Sequence, residues 1–330
     1  MRISTNSIFT PYGRNLEELQ RSQYEAQVRL SSGKDIISLS DSPKRAVNAK
    51  DFTEIINRNT QYIDNMERAL GEMRVTHDSL ESLSDNLHQI RILAIDSNQV
   101  SNSANLSNLG VYIRGLLDDV VKDANSDFNG KFLFGGTRTT PASVESGDTG
   151  HALPFELVEG DATAENPSGL SIRFKGNDSA RLIDKDAHST EKINATASEI
   201  FGEGGTEILE TIIKLYNTFT FTPEGKRRTL GDAFNAEELS FVNDAQRMLA
   251  TTASDVDSAT ARLGSRISRL ESVRNMTHEE NTRIEEFRSF EEDTDVAKAT
   301  LEYKKAETAL AYALQVGGRI ISNSLFDFLR

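Results

Sequence analysis

The stretch that decides the fold is residues 43–98, PKRAVNAKDFTEIINRNTQYIDNMERALGEMRVTHDSLESLSDNLHQIRILAIDSN. Its positions Phe52, Ile56, Asn59, Ile63, Met66, Leu70, Met73, His77, Leu80, Ser84, Leu87, Arg91 and Ala94 are spaced alternately by four and three. That alternation keeps one apolar seam on one side of a helix. No proline interrupts 44–140, and Gly71 is the only glycine from 44 to 109. The spacing predicts one continuous helix over about 43–98, on the order of 80 Å long at ~1.5 Å per residue. Ser42-Pro43 suits its start, since Ser accepts from early N–H groups and Pro fits the first helical position. Asp41 adds negative charge at the same end.

A matching run lies far away in the chain. Leu239, Val242, Gln246, Leu249, Ala253, Val256, Thr260, Leu263, Ile267, Leu270, Arg274, Thr277, Asn281 and Ile284 again alternate three and four, which predicts a second long helix over about 236–290. A shorter helix, about 105–125, carries Leu106, Leu109, Ile113, Leu116, Val120 and Val121. Two helices of nearly equal length separated by an insertion pack side by side and antiparallel. The polar seam positions Asn59, Ser84, Arg91, Gln246, Thr260 and Arg274 weaken such a pair and fix its register. The expected fold is mainly α: a long antiparallel helical rod with paired N- and C-terminal coiled-coil helices and a small inserted α/β or β-rich domain. Its rod comprises 43–136 with 236–294, and its inserted domain is 137–235.

The two ends, 1–42 and 295–330, form a third, terminal helical domain. Leu16, Leu19, Ala26 and Leu30 share one face of a first helix that closes at Gly33, a residue free to take the left-handed conformation. Tyr303, Ala306, Leu310, Ala313, Gly317, Ile320 and Ile321 share a face of the last helix, with Leu325, Phe326, Phe328 and Leu329 beyond. The rod already has its own partners, so these end stripes are assigned to assembly, between the ends and with neighbouring subunits. The expected interface residues are Leu16, Leu19, Ala26, Leu30, Tyr303, Leu310, Leu314, Ile321, Leu325 and Phe328. Gly317-Gly318 inside the last helix costs about 1 kcal/mol per Gly relative to Ala, and marks a kink or a close helix approach.

The insertion changes character. Pro141, Pro154, Pro167 and Pro223 fall in it, with many glycines. Leu170, Ile172 and Phe174 alternate as a strand, followed by Gly176-Asn177-Asp178 and then Ala180 and Leu182, which reads as a hairpin. Phe155 and Leu157 suggest another strand, and 206–219 a short helix.

Net charge is −14 and Cys is absent. The acidic balance argues against nucleic acid and anionic membrane as partners; the short basic run Lys226-Arg227-Arg228 reads as a solvated loop. Without Cys there are no disulfides, thiolate metal sites or Cys nucleophiles. The start lacks a secretory signal, and nowhere do ~18 apolar residues run together. The five histidines are scattered, His77 and His88 far apart on the first long helix and His151, His188 and His278 on other segments, and His278-Glu279-Glu280 lacks the second His of a zinc helix. Gly202-Glu203-Gly204-Gly205 is a linker, lacking the strand and the Lys-Ser/Thr of a phosphate loop. Glu291, Glu292, Asp293 and Asp295 separate two helices and favour the start of the last. No catalytic residue, metal or cofactor is expected, and the chain is not read as an enzyme.

Three stretches carry a family pattern. Arg29-Leu30-Ser31-Ser32-Gly33 with Ser40-Asp41-Ser42-Pro43 resembles the N-terminal region of bacterial flagellins and their relatives. Asp127-Phe128-Asn129-Gly130-Lys131-Phe132-Leu133-Phe134-Gly135-Gly136 is similar to the segment before their variable region. Ile284-Glu285 through Phe290-Glu291-Glu292-Asp293-Thr294-Asp295-Val296-Ala297, and on to Ser324-Leu325-Phe326-Asp327-Phe328-Leu329-Arg330, resembles their C-terminus. Met1-Arg2-Ile3-Ser4-Thr5 and the Phe132–Gly136 run resemble the hook–filament junction branch more than the filament subunits. The resemblance implies a structural adaptor in the bacterial flagellum, with flagellin as the alternative. It implies export, unfolded, through the flagellar channel without a cleaved signal peptide, and an export chaperone on the C-terminal stripe. Its implied partners are hook-associated protein 1, flagellin and copies of itself in a ring. The terminal segments would be loosely ordered alone and fold on docking.

Overall fold

The computed structural model describes residues 6–97, 105–141 and 153–328. Its long helices are α1 (Asn6–Ser32), α2 (Pro43–Asp96), α3 (Leu106–Ala124), α6 (Ala236–Glu292) and α7 (Val296–Phe328); α4 (Ala197–Phe201) and α5 (Glu207–Thr220) lie in the insertion. The strands are β1 (Asp127–Phe128), β2 (Lys131–Phe132), β3 (Phe155–Glu159), β4 (Leu170–Phe174), β5 (Leu182–Asp184) and β6 (Thr190–Lys192). The chain divides into two compact units, Met1–Thr60 with Thr277–Arg330 and Gln61–Met276, so α2 and α6 each contribute to both.

The heptad seam forms the core of the 61–276 unit. Met66, Leu70, Met73, Leu80, Leu87 and Ala94 of α2 are buried in one cluster with Val242, Leu249, Val256, Leu263 and Leu270 of α6. Two seam positions reach across as expected of register-fixing groups: the Ser84 hydroxyl donates to Asp257 Oδ1 (2.6 Å) and the Gln246 amide to the Ala94 carbonyl (2.8 Å). Thr260 and Arg274 instead bond within their own helix, to the Val256 carbonyl and to Asn275. A β-hydroxyl in a helix can share the carbonyl four residues back with the backbone N–H and so satisfies itself locally. On α3, Gly110 lets α5 come close: a Cβ there would lie 2.5 Å from Thr220 Oγ1. The stripe of α5, Ile208, Leu209, Ile212, Leu215 and Phe219, is fully buried.

The insertion holds a short helix where the sequence places one, and strands in a different pairing. β4 does not form a hairpin with the segment after Gly176. It pairs antiparallel with β3, from Phe155 opposite Phe174 to Glu159 opposite Leu170, and β5 pairs with β6. Gly176-Asn177-Asp178 is an anchor instead of a turn. The Asn177 N–H donates to the Gly135 carbonyl (3.2 Å), its side-chain oxygen accepts from the Thr137 N–H (2.9 Å), and Asp178 accepts from Ser198. The turn that does close a two-residue hairpin is Asn129-Gly130 between β1 and β2. Both residues have positive φ, as a type I′ turn requires.

The basic run also departs from expectation. Lys226 is solvated, but Arg228 is 5% exposed. Its guanidinium donates to the Thr218 and Ala233 carbonyls, pairs with Glu238 and lies 5.2 Å over the Phe234 ring. A buried cation that satisfied is a packing element.

Candidate assembly interface

In the unit formed by 1–60 and 277–330, α1 and α7 run antiparallel along each other. Contacts step from Tyr12 beside Ala313 and Gly317, through Arg29 with Glu302 (3.7 Å), to Gly33, whose carbonyl accepts from the Thr294 N–H (2.9 Å). Small residues line the seam: Ala26, Ala299 and Ala306 are buried. The Tyr12 hydroxyl donates to the Ala313 carbonyl (2.9 Å), and a Cβ at Gly317 would lie 1.9 Å from that hydroxyl oxygen. Gly317 therefore serves a close helix approach, and α7 runs through it unbroken.

The helix breaks on both sides meet. Gly33 takes φ +71° and its N–H donates to the Arg29 carbonyl (3.0 Å), closing α1 as its position in the sequence suggests. The Asp35 N–H donates to the Glu292 carbonyl (2.7 Å), making a two-way backbone bridge with the Gly33–Thr294 bond. Around it Lys34 pairs with Glu292 (3.1 Å), and Arg45 with Asp35 (2.8 Å) and Glu291 (3.6 Å). Asp295 accepts from the Ala297 and Lys298 N–H groups, capping α7. Asp41 does not face α2: its carboxylate accepts from the Ile37 and Ser38 N–H groups (3.1 and 2.9 Å) and folds the connector. Those backbone donors hold its pKa below the ordinary carboxylate value.

Of the interface residues named from sequence, Ala26 is buried between the helices, and Leu16, Leu19, Leu30, Tyr303 and Leu310 are half-buried. Leu314 is 52% exposed. Ile321, Leu325 and Phe328 lie on α7, but their side chains fall outside the described residues. The stripe is thus largely the internal seam of the α1–α7 pair. Left outward with Leu314 are Tyr24 on α1, Val296, Leu301, Tyr312 and Val316 on α7, and Ile37 and Leu39 on the connector. They were missed in the sequence because they lie off the main stripe, and α7 is apolar on two faces. His77, Asp78 and Glu81 do come together on α2, but as a half-exposed His with a carboxylate one turn on (3.8 Å).

Comparison with known proteins places this arrangement. Residues 3–139 match the model of the bacterial flagellin N-terminal helical region. Flagellin from Salmonella typhimurium is 25% identical over 211 residues, covering 62% of this chain and 42% of that flagellin; phase 1 flagellin from Salmonella naestved is 26% identical over 172 residues, covering 52% and 34%. The chain therefore spans less than half the length of these two curated relatives. Among solved structures, a protein described as flagellar hook-associated from Vibrio parahaemolyticus shares the fold with TM-score 0.61 at 20% identity, covering 76% of this chain and 99% of that one. Hook-associated protein 3 from Legionella pneumophila does so with TM-score 0.54 at 13% identity, covering 72% and 97%. Residues 3–139 thus match the bacterial flagellin N-terminal helical region, and the chain shares its fold with the two hook-associated proteins.

Proposed function

We propose that this chain is a structural adaptor of the bacterial flagellum, in the place of hook-associated protein 3, joining the hook through hook-associated protein 1 to the flagellin filament. It works by docking, not catalysis. Segments 1–42 and 295–330 form the assembly domain, 43–136 with 236–294 the rod and 137–235 the inserted domain. Copies meet in a ring through α1 and α7. Before that, the chain is exported unfolded without a cleaved signal peptide, with a chaperone over its C-terminal stripe.

The observation that carries this reading is the outward apolar surface of the terminal pair. Tyr24, Leu301, Tyr312, Leu314 and Val316 are each more than half exposed. Apolar surface gathered on one pair of helices marks an interaction site. The runner-up is flagellin itself, favoured by the flagellins among the matched relatives. Immunogold labelling of isolated hook–filament preparations separates the two. A band at the junction supports the adaptor, and label along the filament supports the subunit. Purified chain that polymerises alone into long filaments also sinks the adaptor reading.

A further inference from the structure

One cleft in the 61–276 unit differs in charge from the rest of this acidic chain. It measures about 520 Å³, within the range of small-molecule sites. Three separate elements wall it. One is a single face of α2, presenting Asn65, Arg68 and Glu72 at helical spacing; the second is the β1–β2 hairpin, with Phe128, Asn129 and Lys131; the third is the start of β5, with Arg181 and Leu182.

Each wall brings one cation. Arg181 is paired with Glu72, and its buried Nε has no hydrogen-bond partner. Arg68 bonds only neutral groups, the Asn65 side-chain oxygen (2.5 Å) and the Asp64 carbonyl (3.3 Å). No carboxylate among the described residues pairs with Arg68 or Lys131. A chain of net charge −14 thus carries a cleft with an excess of two positive charges over its one acid. The cleft also has an apolar side. Phe128 is seated over Gly71, where a Cβ would lie 3.1 Å from its ring, and Leu182 is 60% exposed at the rim. Asn65 and Asn129 add amides that both donate and accept. The hairpin is fixed by its type I′ turn, so the Lys131 and Asn129 positions are set before any ligand arrives.

Cations for a carboxylate, amides for hydroxyls and an apolar wall for a C–H face are the three needs of an acidic pyranose. We infer that this cleft binds an acidic saccharide, its carboxylate between Arg68 and Lys131 and its ring against Leu182 and Phe128. This inference does not depend on the junction reading.

The test is ligand-observed NMR on the full chain with D-glucuronate, with D-glucose and inorganic sulfate as controls. Glucuronate should bind saturably, glucose roughly tenfold or more weakly, and sulfate should not displace glucuronate at equal concentration, since charge-assisted bonds and ring contacts both contribute. Arg68→Gln with Lys131→Gln, both at exposed positions, should weaken glucuronate roughly tenfold or more with the circular dichroism unchanged. Leu182→Ser keeps every charge and should weaken glucuronate while leaving sulfate binding unmoved. The assignment is overturned by no saturable binding of glucuronate, by equal competition from sulfate, or by binding indifferent to the double variant. A glutamate-rich peptide that displaces glucuronate and binds more tightly would also overturn it, making the cleft a polypeptide site.

Discussion

Gly317 and Gly318 are adjacent, yet their surroundings are opposite. A Cβ on Gly317 would run into Tyr12 at 1.9 Å, whereas nothing lies within 4 Å of one on Gly318. Helix propensity favours Ala over Gly by about 1 kcal/mol at either position. At Gly318 that gain stands alone, so Gly318→Ala should raise the protection of α7 amides in hydrogen exchange by about 1 kcal/mol. At Gly317 Tyr12 must swing out and the Ala313 carbonyl loses its donor, so Gly317→Ala should lower protection of both α1 and α7 by roughly 1–3 kcal/mol. If the two variants behave alike, the close approach does not set the pairing. Asp123 is a second residue whose setting fixes a sign. It is half-buried and accepts from the Ser82 hydroxyl (2.8 Å) and the Asn86 amide (2.9 Å). Burial is the largest influence and raises its pKa, with these bonds opposing. An acid with a raised folded pKa binds more protons folded than unfolded between the two values, so stability there rises as pH falls. Asp178 and Glu199, whose pKa values are lowered, act in the opposite sense, so the test is the difference in urea melts. Relative to Asp123→Asn, which still accepts both bonds, the unaltered chain should gain stability on acidification just above the ordinary aspartate range.

The elements differ in how much of themselves they bury. The described parts of α1 and α7 fully bury little more than Ala26, Ala299, Ala306 and Gly317, whereas α5 buries Ile208, Leu209, Ile212, Leu215 and Phe219 completely. Amide protection follows buried apolar contact. In the free chain α1 and α7 should exchange fastest among the helices and α5 with α3 slowest; equal protection would contradict folding on docking. The α2 and α6 boundaries were legible in the sequence because a seam repeated over many turns leaves one solution. Strand pairing was not, since alternation at Leu170 and Ile172 marks a buried face without saying which strand lies beside it. Nor could the chain order show that Asn177 reaches Thr137, or that Arg228 turns inward to carbonyls and Phe234. At the terminal pair the seam itself was legible. Its outward row was not, because stripe counting assigns each helix one apolar face, and α7 carries apolar residues on two.

At the scale of the whole molecule, net charge −14 keeps free copies apart, while the terminal pair offers them apolar surface to share. The two tendencies reconcile if docking waits for a shaped partner surface. Leu314 tests this directly, because at 52% exposed it contributes little to the fold of a single copy. Leu314→Asp should leave the thermal melt of the free chain nearly unchanged, since the carboxylate stays in water. In the assembled state the same carboxylate would be buried without a partner, a cost of several kcal/mol, so incorporation into the flagellum should fail. Removing 310–330 should have the same outcome. It takes away Leu310, Ala313 and Gly317 from the α1–α7 seam but none of the core of 61–276, so the truncated chain should stay soluble and helical by circular dichroism. A melting temperature that falls by many degrees in Leu314→Asp would show this side chain to be internal core, and normal incorporation of either variant would place the docking surface elsewhere.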